Sequence, residues 1–340
     1  MEANQSKEQW FQTQLKEANQ LVSQGGQALR SGQTQAGSEA LTEAAAILDM
    51  VEMESEEYLK IRARVLNELG VVYQRQNQLE RSRDLHSQAA QICEELIENG
   101  ETFHANGSAT HLNLSSIELA LGNVGSAEQA GNRALELIAE VEAKEEVGGP
   151  DPLRLGALQN LAVIAGRKKE WDLASERMEK AQEIVALLVE GGQKNFLAQF
   201  AQGCQQLSVI LFEADQSDRA LDWGRRAEEH AERAYEALGA PVLPVYVISQ
   251  LNLISYYEKL GQFANGEDCL WKALDVAGND PRILYRGVAF YENCRKQADP
   301  VLEEGNLPRE EVNSGLEELM ERVEILGGMD RLKELAQTQR

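Results

Sequence analysis

The chain has 340 residues, with 56 acidic and 33 basic side chains and a formal charge of −23. That field repels phosphate backbones and anionic bilayers, so nucleic acid is not an expected partner. Hydrophobic residues make up 43% and aromatics only 6%, with seven prolines, a balance that favours helices packed through small side chains. No apolar run approaches the roughly 18 residues a membrane span needs, and the opening MEANQSKEQWF lacks the basic-then-apolar order of a secretion signal. A cytoplasmic protein is expected.

Taken from the N-terminus, a first helix is expected to begin near Lys7 and to pass through Gly25, the first of a series of equivalent positions. Gly25, Gly70, Ser115, Ala162, Ser208 and Ile254 are separated by 45, 45, 47, 46 and 46 residues. Twelve residues after each stand Gly37, Ser82, Ala127, Ala174, Ala220 and Gly266; nineteen after stand Ala44, Ala89, Ala134, Ala181, Ala227 and Ala273. Small residues recurring at two fixed offsets mark a repeat. Their physical use is close approach, because antiparallel helices joined by a short turn pack tightly only where their crossing points lack bulk.

The remaining columns agree. One position before the register stand Gln24, Leu69, Leu114, Leu161, Leu207 and Leu253; twenty-two after it stand Ile47, Ile92, Leu137, Ile184, His230 and Val276. Both read as core columns, broken only by Gln24 and His230. Seven residues after the register come Gly32, Asn77, Gly122, Lys169, Asp215 and Gly261, a turn column rich in the types that accept a left-handed backbone.

After Val276 the period fails. Asp280 and Pro281 are good helix-start residues leading into RILYRGVAFYENCRKQ. A further helix follows Pro308, with Val312, Leu316, Leu319, Met320, Val323 and Leu326 on one stripe, and a last short one follows Gly327 and Gly328 with Leu332 and Leu335. The expectation is an all-α, right-handed α-solenoid of about six helical hairpins over residues 1–277. A degenerate repeat and capping helices are expected over 278–340.

The columns resemble the tetratricopeptide repeat, and the longer unit resembles the kinesin light chain type. LNELGVVYQRQNQLERSRDLHSQAAQI (Leu66 to Ile92) and LQNLAVIAGRKKEWDLASERMEKAQEI (Leu158 to Ile184) carry the likeness. The usual His-Pro link between repeats is absent, although GGPDP (Gly148 to Pro152) occupies a comparable place. The sequence contains no long heptad region for joining a motor's heavy chain, so motor attachment is not expected. The likeness extends to bacterial kinesin light chains, which implies an adaptor for a tubulin-like cytoskeletal filament with possible peripheral membrane contact. The alternative is a regulator or chaperone that captures a peptide tail, with no filament involved.

Catalysis has no support in the motifs. There is no phosphate-binding Gly loop, GxSxG, HExxH or calcium-loop pattern, so no enzyme activity and no cofactor are expected. The histidines His86, His104, His111 and His230 include no pair at metal-ligand helical spacing, which leaves no expected metal site. Cys93, Cys204, Cys269 and Cys294 are scattered and form no CxxC, and they read as buried small hydrophobes. Glu142, Glu145 and Glu146 read as a solvated loop.

A superhelix of such hairpins lines its concave face with first helices. By the resemblance, the Asn two residues before the register faces that groove and bonds a peptide backbone; Asn113, Asn160 and Asn252 match it, while Glu68 and Gln206 replace it elsewhere. Arg64, Asn67, Gln74, Arg75, Arg167 and Lys259 project near the same face at helical spacing. Cations there are notable on an acidic chain, although they could equally solvate the helices or pair with neighbouring Glu. The segment holding Arg282, Tyr285, Arg286, Phe290, Tyr291, Arg295 and Lys296 is read as a cap helix with its aromatics against the last repeat, a second binding surface being the alternative.

Overall fold

A computed structural model describes residues 2–51, 55–143 and 151–338. Glu145, Glu146 and the Gly148 to Pro150 part of the GGPDP link lie outside the described residues. Among those described there is no strand, and the chain divides into two compact units, Met1–Lys168 and Lys169–Arg340.

In the first unit, α1 (Glu2–Arg30) pairs with α2 (Thr34–Asp49), α3 (Glu56–Arg75) with α4 (Leu79–Glu98), and α5 (His104–Ala120) with α6 (Val124–Ala143), before α7 (Asp151–Arg167). The second opens with α8 (Trp171–Glu190). It continues with the pairs α9 (Asn195–Glu213) and α10 (Ser217–Leu238), then α11 (Leu243–Lys259) and α12 (Phe263–Ala277). It closes with α13 (Pro281–Arg295), α14 (Asp299–Glu304), α15 (Arg309–Ile325) and α16 (Gly328–Thr338). The first helix starts at Glu2 rather than near Lys7. The short α14 and a 3-10 turn at Ala240–Val242 were not foreseen, because each is too short to show a helical period.

Every member of the turn column has a left-handed backbone. The φ angles are +80° at Gly32, +59° at Asn77, +83° at Gly122, +65° at Lys169, +63° at Asp215 and +71° at Gly261. Where the following residue's N–H reaches back into the last turn, as from Gln33 to the Ala28 carbonyl (2.8 Å) and from Gln78 to that of Tyr73 (2.8 Å), it supplies a donor to an orphan helix-end carbonyl. Helix starts are handled individually: the Ser55 hydroxyl accepts from Tyr58 N–H (3.1 Å), and Asp280 accepts from Arg282 N–H (2.8 Å).

The small columns are the crossing points. Ala44, Ala89, Ala134, Ala181, Ala227 and Ala273 are all buried. At the α1–α2 crossing a Cβ added to Gly25 would lie 3.2 Å from the Gly37 carbonyl oxygen, and one on Gly37 would lie 3.1 Å from that of Gly25. Backbone meets backbone there. In the next two hairpins the same contact is a hydrogen bond: the Ser82 hydroxyl donates to the Gly70 carbonyl and that of Ser115 to the Ala127 carbonyl, both at 2.8 Å. In the second unit aromatic rings do the filling, with Phe290 against Gly266 and Tyr291 against Gly315. Phe290 and Tyr291 are fully buried in the cluster that joins α11, α12, α13 and α15. Phe290 and Tyr291 of α13 thus pack inward, while Tyr285 stays exposed.

Candidate functional site: the first-helix face

In Met1–Lys168 the odd-numbered helices carry a row of polar side chains that bond from one repeat to the next. Arg64 on α3 donates to the Asn19 amide oxygen of α1 (2.7 Å). Asn113 on α5 donates through Nδ2 to Asn67 Oδ1 on α3 (3.1 Å), and Asn160 on α7 donates to the Ser116 hydroxyl on α5 (2.8 Å). Partners are separated by 45, 46 and 44 residues, about one repeat. Arg64, Asn67, Asn113 and Asn160 are half-buried, the position of groups that face outward from between two helices. Gln74 is exposed beside them.

The basic residues closing each first helix have a structural task. Arg75 donates to the Leu29 carbonyl at the end of α1, and Arg167 to the Leu119 carbonyl at the end of α5, both at 2.8 Å. In the second unit Lys259 pairs with Asp215, in the turn after α9, and lies 4.8 Å from the centre of the Phe212 ring. Each cation sits at the negative end of the preceding first helix, where it meets a partly unsatisfied carbonyl or a turn carboxylate and the helix dipole. Gln206 is exposed and Asn252 half-buried on the first helices of that unit.

Several contributors were missed. Asn19 and Ser116 complete the row; the signal for Asn19 was available, since it stands one 45-residue period before Arg64, whereas Ser116, 44 residues before Asn160 where the period is 47, falls in no singled-out column. Glu68 was noted only as a replacement. Its carboxyl group leans toward α1, since a Cβ on Gly26 would be 3.7 Å from Glu68 Oε1 and 3.3 Å from Arg30 Nη1. Burial raises its pKa, against the opposing pull of Arg30, Arg64 and Arg75.

A cavity of about 120 Å³ opens beside this row, between α3, α4 and α5. Ala63, Cys93, Phe103 and Ala109 provide its apolar wall; Arg64, Asn67, Glu68, Asn106 and Thr110 provide polar groups. Behind Asn67 stands His86, with Nδ1 3.0 Å from Asn67 Oδ1. Burial lowers the imidazole pKa to about 4, so the ring is neutral at physiological pH.

The other histidines pack or pair rather than cluster. His111 meets Glu94 (2.7 Å), itself held in a two-pronged pair with Arg133 (2.9 Å each), and His104 lies 3.1 Å from Glu140. His230 fills its core column edge-on to Phe200, its ring 4.7 Å away. Among the described residues no group of His, Cys, Asp or Glu could hold a metal ion, and no helix is long and apolar enough to cross a membrane. All four cysteines are buried; burial raises Cys93 to about 11 and Cys269 and Cys294 to about 12, which keeps them as unreactive thiols.

These hairpins, with their small crossing columns and left-handed turns, define a tetratricopeptide-type repeat fold. The chain belongs to the family of unknown function DUF6483, whose model matches residues 6–324. No curated protein sequence matches it. Among solved structures it is similar to apo NprR, a quorum sensor from B. thuringiensis, at 12% identity and a TM-score of 0.55, covering 94% of this chain and 84% of that one. It is also similar to the apo form of RapI, at 15% identity and a TM-score of 0.52, over 91% of this chain and 99% of that one. A looser likeness, at 16% identity and a TM-score of 0.48, links it to BtubC, the bacterial kinesin light chain of P. vanneervenii, over 78% of this chain and 91% of that one.

Proposed function

We propose that this protein is a non-catalytic scaffold that holds an extended polypeptide segment on the first-helix face of Met1–Lys168. The observation that carries the reading is the amide row of Asn67, Asn113 and Asn160, half-buried and spaced at the repeat. An amide offers both donor and acceptor, which is what an unpaired peptide backbone requires. The formal charge of −23 argues against phosphate polymers as the partner. One of the similar structures is a quorum sensor, so the fold serves sensing in that protein.

Peptides selected from a random display library against the intact chain test this. Asn160→Ala is expected to weaken the selected peptides at least tenfold, while losing one hydrogen bond between repeats lowers the melting temperature by only a few degrees (about 0.5–1.5 kcal/mol). Equal binding by the variant and the original chain sinks the groove reading.

The light-chain-like spelling of Leu66 to Ile92 and Leu158 to Ile184 favours a second reading, an adaptor on a tubulin-like filament with peripheral membrane contact. Co-sedimentation with a polymerised bacterial tubulin decides it: a chain that stays in the supernatant at every ratio has no filament role.

A further inference from the structure

The last helix of the second unit hangs on a very short link. α15 ends at Ile325 and α16 begins at Gly328, so the chain turns through Leu326 and Gly327 alone. Gly327 and Gly328 both have left-handed backbones, at φ +98° and +86°. A Cβ at Gly327 would meet nothing nearer than the Arg331 side chain at 3.6 Å, and one at Gly328 nothing nearer than Glu324 Oε1 at 3.9 Å. Glycine is therefore required here by the backbone angles and not by crowding.

What holds α16 in place is a short apolar stripe. Leu332 and Ala336 are buried, and Met329 and Leu335 are half-buried. The helix packs against α13 and α15, and Leu332 joins the cluster that includes Ile283, Leu284, Leu319 and Val323. With 11 residues it is too short to be a stable helix alone in water, so its structure depends on the groove between α13 and α15. Seated there, it still leaves Ile325, two residues before the glycine pair, 76% exposed, the most exposed large hydrophobic side chain among the described residues.

We infer that the groove between α13 and α15 is also a docking site for a second copy of this chain, entered by exchange of α16. The occupant follows from identity: a groove that accepts the chain's own Leu332 stripe accepts the same stripe from a neighbour, with every side-chain contact reproduced. Two features favour the exchange. A two-residue link that must take φ > 0 has few ways to fold back, and short constrained hinges favour exchange where longer ones favour closure. In a symmetric exchanged pair the two links pass each other near the two-fold axis, so Ile325 meets its counterpart and leaves water. Each copy carries a charge of −23, which opposes the pairing until salt screens it. The pair would present two copies of the scaffold and so add avidity to whatever each one holds.

The test is sedimentation equilibrium of the full chain at low and high salt, beside three variants. Gly327→Ala combined with Gly328→Ala strains the closed link without adding a clash, and it is expected to raise the dimerisation constant at least tenfold. Insertion of Gly-Ser-Gly-Ser between Leu326 and Gly327 lets α16 close on its own copy and is expected to lower that constant at least tenfold. Ile325→Glu is expected to lower it as well, with the melting temperature of the monomer unchanged. A dimer that forms in the original chain or in the double alanine variant, and is lost on insertion, supports the exchange. Both forms remaining monomeric at every concentration overturns it, and so does a dimer indifferent to the insertion, which is an ordinary surface contact. Asn160→Ala, in the other unit, leaves the dimer unchanged, so this inference and the first-helix reading fail separately.

Discussion

In Met1–Lys168 the first helices are tied together by half-buried amides and guanidinium groups; in Lys169–Arg340 the ties between α9 and α11 include buried ones, while Arg286 on α13 keeps half-buried bonds to Ser255 and Glu258 on α11. There Gln205 donates to the Val245 carbonyl and the Ser249 hydroxyl (2.7 Å each), and Ser208 meets the Tyr256 hydroxyl (3.0 Å), all four side chains being inaccessible or nearly so. Aromatic rings close the second unit around these bonds, while the first leaves a cavity beside its own. The same repeat can thus spend its polar residues on internal order or present them at a surface.

Four measurements can break or sharpen that contrast. The largest effect is expected where rings carry the packing: Phe290→Ala removes a fully buried ring beside Gly266 and Tyr291, at a cost of about 3–5 kcal/mol in urea unfolding. A loss under ~1 kcal/mol means the aromatic cluster does not hold the second unit together.

Next is acid sensitivity in the first unit. The folded pKa of His86 is depressed from 6.5 to about 4, so its contribution is fully present above pH 6.5 and is lost as pH falls toward 4. The linked loss is about 3 kcal/mol. Unfolding followed between those pH values is expected to slope downward in the original chain and to flatten in His86→Gln; identical slopes remove His86 from the account.

A bulky residue in the alanine column comes third. Ala134→Leu should overpack a fully buried crossing and cost about 1–3 kcal/mol. Ala273→Leu makes the same comparison in the other unit. Smallest is the loss of the cations at the first-helix ends. Arg75→Ala and Arg167→Ala each remove a hydrogen bond to a helix-end carbonyl, worth about 0.5–1.5 kcal/mol. Lys259→Ala loses only an exposed ion pair and a ring contact, for about 1 kcal/mol or less, falling with added salt. Equal costs for all three would erase the distinction between carbonyl capping and surface pairing.

The parts of the fold legible in advance were those written within one repeat. The alanine column and the turn column each need only neighbours a few turns away, so Ala181 and Lys169 could be placed without knowing what lay beyond the hairpin. The candidate site was legible only as a face. Asn113, Asn160, Arg75 and Arg167 were found at helical spacing, but their bonds run to the preceding repeat, and no single repeat records that contact.

What the sequence by itself determined is the period, the all-α hairpin architecture and the helix-end chemistry, because small residues and left-handed turn residues act through local backbone sterics. Tertiary structure decided which polar groups are consumed and which face outward. His86 came from a second helix and Asn67 and Asn113 from two first helices. Hydrogen bonds between repeats depend on the distance of approach, which the packed crossing points set and no local pattern encodes.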